Sequence, residues 1–163
     1  MRPIIRLLVL TALALAAPLG VARAQINGSP PPLMGQPSYH LYSVPIIRSG
    51  GVEPFFECTN TSSATIRVGV EAFAGPGGAA INDPSATSLD IPPSGSVIFG
   101  PTNAWVPPNS NPGIGPIGHG SARILASDKK GIICTAFLAD VFNAPPTSMV
   151  HLNIVSKLKQ RGD

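Results

Sequence analysis

The clearest alternation along the chain runs from Ala64 to Phe73. Ala64, Ile66, Val68, Val70 and Ala72 fall on one side, and Thr65, Arg67, Gly69 and Glu71 on the other. A period of two belongs to a strand, whose successive side chains point to opposite faces. One apolar and one polar row predict an antiparallel strand with one face buried and the other in water. Shorter runs of the same kind predict strands at Tyr39–Arg48 (bent at Pro45), Val52–Thr59, Ser88–Ile91, Ser96–Phe99, Ala122–Ser127, Ile132–Ala139 and Val150–Val155. Turn residues separate them. Asn60–Ser63 predicts a hairpin between the second and third strands, and Pro92-Pro93-Ser94-Gly95 joins the short pair. Asp128-Lys129-Lys130-Gly131 predicts a further hairpin, with Gly131 placed for a positive φ.

No stretch beyond residue 24 shows a 3.6-residue period, and 17 glycines and 19 prolines interrupt the chain too often for long helices. The expected fold is therefore all-β: an antiparallel β-sandwich of about 7–9 short strands, with a closed β-barrel as the alternative. Residues 25–38, which contain NGSPPPLMGQP, read as an extended Pro/Gly-rich leader, 39–156 as the sandwich domain, and 157–163 as a flexible basic tail. Two long loops stand out. Gly75–Pro84 contains GPGG, and Pro107–Gly120 follows the only tryptophan, Trp105. Long loops on a rigid scaffold often carry function.

The first 24 residues have a different pattern. Arg2 and Arg6 precede an uncharged Leu/Ala run, which ends in Ala22-Arg23-Ala24. Charged start, apolar middle and small-x-small exit predict a helical, cleavable signal peptide, with cleavage between Ala24 and Gln25. The apolar run is shorter than the ~20 residues that cross a bilayer. The expected location is periplasmic or secreted, with no stable membrane insertion after cleavage. This segment also changes the charge balance. Without Arg2, Arg6 and Arg23, eight basic residues face eight acidic ones. A neutral chain lacks the basic face that nucleic-acid binding requires, so no nucleic-acid partner is expected.

Two cysteines remain, Cys58 and Cys134, each on the apolar side of an expected strand. In an exported chain an even cysteine count predicts a disulfide, the alternative being two buried thiols. Two strand cysteines so far apart resemble the inter-sheet bridge of immunoglobulin-like sandwiches. The chain departs from that pattern in three ways. Ile132 stands where a tyrosine would precede the second cysteine, Trp105 lies beside a loop, and Ala122–Ala139 reads as a hairpin. The segments FECTNTSSATIRVGVEAF, IPPSGSVIFG and GSARILASDKKGIICTAFLAD resemble small exported bacterial proteins of unassigned function. That resemblance implies an exported, disulfide-linked β domain and carries no functional residue with it.

Candidate chemistry is sparse. His40, His119 and His151 have no neighbour at metal-ligand spacing, and the cysteines alone do not make four ligands. There is no G-x-S-x-G elbow, no paired carboxylates and no phosphate-binding glycine motif. No catalytic residue, metal or cofactor is nominated. The terminal Arg161-Gly162-Asp163 matches an integrin-recognition tripeptide, a short motif that arises often by chance. The expected function is a non-enzymatic envelope or secreted binding or structural module, whose partner is an envelope protein or a glycan. Trp105 and His119 are its candidate binding-loop residues. The alternatives are a pilus- or coat-like subunit that exchanges strands through its leader, and a small exported enzyme whose site assembles only in three dimensions.

Overall fold

The alternating stretch forms a strand, two residues later than expected, within two antiparallel sheets. The structure, a computed structural model, describes residues 25–102 and 104–157. The signal peptide with Ala24, most of the basic tail and the terminal Arg-Gly-Asp lie outside the described residues. The elements are β1 (Tyr39–Arg48), β2 (Val52–Asn60), β3 (Ile66–Ala74), α1 (Pro84–Thr87), β4 (Leu89–Ile91), β5 (Ser96–Phe99), β6 (Ile117–Ala126), β7 (Ile132–Asp140), β8 (Met149–His151) and β9 (Val155–Ser156). The first sheet has the order β4-β3-β6-β1-β9 and the second β5-β2-β7-β8. Val68, Val70, Ile124 and Ala126 of the first sheet meet Phe56, Cys58, Val97 and Ala136 of the second in one buried core. The fold is a β-sandwich, and neither sheet closes into a barrel.

The expected hairpins are corners. β2 and β3 lie in different sheets, as do β4 and β5, and β6 and β7. The turns Asn60–Ser63, Pro92–Gly95 and Asp128–Gly131 therefore carry the chain from one sheet to the other. Asn60, fully buried at the end of β2, ties the first two together, and its neighbour Thr61 adds the third. Asn60 Nδ2 donates to the carbonyls of Ala64 (2.7 Å) and Ile91 (2.8 Å), and its Oδ1 accepts from the backbone and hydroxyl of Ser62. Its backbone exchanges bonds with Ser94 and Gly95, and Thr61 N donates to Gly131 O. Gly131 has φ +76°, and a Cβ there would press on Ser62, so the corner also requires glycine. Separate sheets for β6 and β7 remove one of the three departures from the immunoglobulin pattern.

The disulfide is real, but it is not an inter-sheet bridge. Cys58 and Cys134 are bonded and stand opposite each other on β2 and β7, neighbours in the second sheet, with Cα atoms 4.1 Å apart. Such a separation belongs to the narrow, non-hydrogen-bonded pairs of an antiparallel ladder. The immunoglobulin likeness therefore fails at the feature that suggested it, because separation along the sequence does not reveal which sheet a strand joins.

Two boundaries also move. Residues 150–155 split between the sheets, β8 extending the second and β9 the first. β6 begins at Ile117, five residues before the expected start, so His119 is a strand residue and not a loop residue. The IGHG segment that opens β6 has too little side-chain alternation to signal a strand.

The polar row of β3 is not solvated. Gly69, Glu71 and Phe73 on its outer face are buried as fully as the core row, because the leader and α1 lie over them. Leu33 of the leader is buried against Gly69, where any Cβ would come within 2.9 Å of both the leucine and the Pro84 carbonyl. Glu71 is accordingly no surface carboxylate. It pairs with Arg123 of β6 at 2.7 Å, and both side chains are almost wholly excluded from solvent.

Candidate functional site

Two surfaces carry the chemistry of interest, one on each outer face. On the first sheet, the buried Arg123 reaches outward to the leader. Its Nη1 donates to the carbonyls of Gly28 (2.7 Å) and Ile26 (3.1 Å), and its guanidinium lies 5.2 Å from the Phe73 ring centre. A buried guanidinium with a carboxylate and carbonyl acceptors is well satisfied. It holds a proline-rich segment that has little secondary structure of its own.

Where the leader meets the start of β1, a half-open cleft of about 680 Å³ forms. Asn27, Ser29, Pro30, Tyr39, His40 and Leu41 line it, together with Lys129 from the β6–β7 corner and Lys157 just beyond β9. Lys129 Nζ stands 4.7 Å from the centre of the Tyr39 ring. Lys157 is anchored by its backbone, whose N–H donates to Leu41 O at 2.7 Å, and its Nζ reaches Asn27 Oδ1 at 3.4 Å.

His40 lies within this cleft. Burial, then the positive charges of Arg123 and Lys157, lower its pKa to about 4, against an opposing hydrogen bond to the Tyr42 carbonyl. Its Nε2 is 3.1 Å from that carbonyl and 2.9 Å from Ser43 Oγ. A carbonyl only accepts, so Nε2 donates in the tautomer that bonds Tyr42, and in the other tautomer it accepts from the Ser43 hydroxyl. Tyr42 reaches across the core, its hydroxyl donating to Ile132 O at 2.9 Å, and burial raises its pKa.

On the second sheet, Phe55 and Phe137 stack with ring centres 5.1 Å apart. With Ala139 and Val141 they form a small cluster, against which Ala104 and Val106 pack from the loop after β5. Trp105 sits between these two anchors and is 55% exposed. Alternation within the loop turns its neighbours inward and the indole outward. Met149 of β8 pairs with Ala139, which puts it on the same face, and it is 53% exposed. At the end of β7, Asp140 accepts from Phe142 N (2.8 Å), Thr147 Oγ1 (2.7 Å) and Asn143 Nδ2. The Asn143, Phe142 and Thr147 donors, in that order, hold its carboxyl at about 2. The fixed loop presents Phe142 at 76% exposure.

The expected site residues do not form a unit. Trp105 belongs to the covering of the second sheet. His119 is exposed on the first, near Gly75, whose N–H donates to its carbonyl at 3.1 Å. Gln25 is exposed and accepts from Gly28 N at 2.8 Å. His40 and His119 lie on β1 and β6, and His151 on β8 of the other sheet. Among the described residues no three His, Cys, Asp or Glu side chains group as metal ligands. The residues that sequence reasoning missed are Tyr39, His40, Lys129 and Lys157. No spacing rule connects them, because a turn, two strand ends and the leader bring them together. No protein-family model, curated protein or solved structure matches the chain.

Proposed function

We propose that this chain is an exported, non-enzymatic binding module that engages an envelope partner through the covered face of its second sheet. The observation that carries this reading is Trp105. It is a large aromatic left exposed between two half-buried neighbours, on a loop fastened to a stacked aromatic pair. Rigid, exposed aromatics are the side chains that most often anchor a contact. Met149 and Phe142 extend the apolar surface.

Export is supported by the disulfide, which belongs with an oxidising compartment. Among the described residues no helix is long and apolar enough to cross a membrane. The non-enzymatic reading is favoured by the separation of His40, His119 and His151 on β1, β6 and β8. A binding module is favoured over strand exchange through the leader because Arg123 and Leu33 hold that segment on its own domain.

Crosslinking in the native envelope tests the proposal. Trp105→Ala is expected to fold normally and to lose the captured partner, and digestion of the captured product tells glycan from protein. Full capture by the variant removes Trp105 from the reading.

A further inference from the structure

We infer that the cleft between the leader and the start of β1 is a binding site for a small organic anion, whose phosphate or carboxylate group is held by Lys129 and Lys157. This site is separate from the Trp105 surface and does not depend on it.

Charge is the first argument. Three ion pairs occur among the described residues, and all three use arginine: Arg48 with Glu53, Arg67 with Asp90, Arg123 with Glu71. Lys129 and Lys157 have no ion-pair partner among the described residues, yet both line the same cleft. No carboxylate among the described residues lines it with them. The adjacent Asp128 is turned to its own corner, where Oδ1 accepts from Lys130 N at 3.1 Å. Two ammonium groups on one concavity leave an excess of positive charge, which an anion relieves. Low-dielectric walls strengthen that attraction relative to open water.

Shape is the second. About 680 Å³ falls inside the range of roughly 300–1,000 Å³ usual for small-molecule sites. Pro30 and the Tyr39 ring give it an apolar wall, which suits a carbon skeleton rather than a bare ion. Ser29, Ser38 and Asn27 offer further polar groups.

Preorganisation is the third. The leader wall is pinned by Arg123 to the Gly28 and Ile26 carbonyls. The Lys157 backbone is pinned to Leu41, and Lys129 rests on Tyr39. Groups fixed beforehand lose less entropy on binding.

Calorimetric titration of the full exported chain with glucose 6-phosphate, glucuronate and glucose tests the inference. At least one charged sugar should bind and glucose should not; which one binds identifies the preferred oxyanion. The pair Lys129→Gln and Lys157→Gln should weaken that binding at least tenfold, while Lys130→Gln, one residue outside the cleft, changes it less than twofold. A second measurement does not depend on any variant folding. In the native protein, ligand-induced NMR shifts should centre on Ser29, Tyr39, His40, Lys129 and Lys157. The inference is overturned if neither anion binds, if glucose binds as well as its charged relatives, if Lys130→Gln is as damaging as the cleft pair, or if the shifts centre elsewhere.

Discussion

Over the first sheet, residues 26–33 are held on β3 and β6 by a buried guanidinium; over the second, Ala104 and Val106 rest on β2 and β7 through two stacked phenylalanines. Each is an irregular segment closing an outer sheet face that alternation alone would leave to water. The first uses directed bonds. Its segment is rich in proline and glycine and offers chiefly backbone carbonyls, for which a guanidinium is a matched donor. The second uses apolar contact, which is non-directional and leaves the intervening residue free to face outward. Directed covering shapes a polar cleft at its margin, whereas apolar covering presents an exposed aromatic. The two proposed binding surfaces follow from that difference.

Arg123→Met strikes the first region. It leaves the buried Glu71 carboxylate without its cation, and losing one partner of a buried pair costs about 3–5 kcal/mol. Urea unfolding should show that loss, with faster amide exchange across residues 26–33 than across 104–106. Equal exchange in both segments would contradict the division drawn between the two coverings. Phe137→Ala strikes the second. A loss of about 3 kcal/mol is expected, at the low end for removing a buried aromatic because the cluster is small. Trp105 fluorescence should shift as its loop loosens, while protection of 26–33 stays as before.

The smallest effect is a pH dependence confined to the first region. His40 titrates near 6.5 when unfolded and at about 4 in the fold. Between these values the unfolded chain binds a proton that the folded chain does not, so stability falls as pH drops. Its contribution is whole above pH 6.5 and is lost as pH falls through 4. The groups acting on it are Arg123 and Lys157, which disfavour its charge, and the Tyr42 carbonyl, which favours it; Glu71 offsets Arg123. His40 is partly exposed, so solvent screening limits the effect to about 1–2 kcal/mol. The stability–pH slope of His40→Gln should be flatter than that of the native protein over this window. Identical slopes would remove His40 from the account.

Little of the candidate site was legible beforehand. Trp105 stood out as the only tryptophan beside a long loop, but its exposure depends on where Ala104 and Val106 find apolar support. Because IGHG carries no alternation, the sequence places His119 in that loop, whereas pairing with β1 and β3 makes it strand. The lysines of the cleft belong to a turn and a chain end, which read by themselves as solvated charge. Glu71 looked like a surface acid for the same reason: a strand's alternation shows two faces without showing what lies over the second.

Alternation and turn residues determined that the chain is all-β, and where most of its strands lie. Both are local properties, set by neighbouring side chains and by backbone preferences at glycine and proline. The even cysteine count, together with the reading of export, pointed to the Cys58–Cys134 bond. Only the tertiary structure decided which sheet each strand joins, since a four-residue turn serves a hairpin or a corner equally well. At Asn60 the choice rests on bonds to Ala64, Ile91, Ser94 and Gly95. Those partners are separated along the chain and meet only when both sheets are in place. The coverings of the outer faces, and the cleft and exposed indole they create, are non-local in the same way.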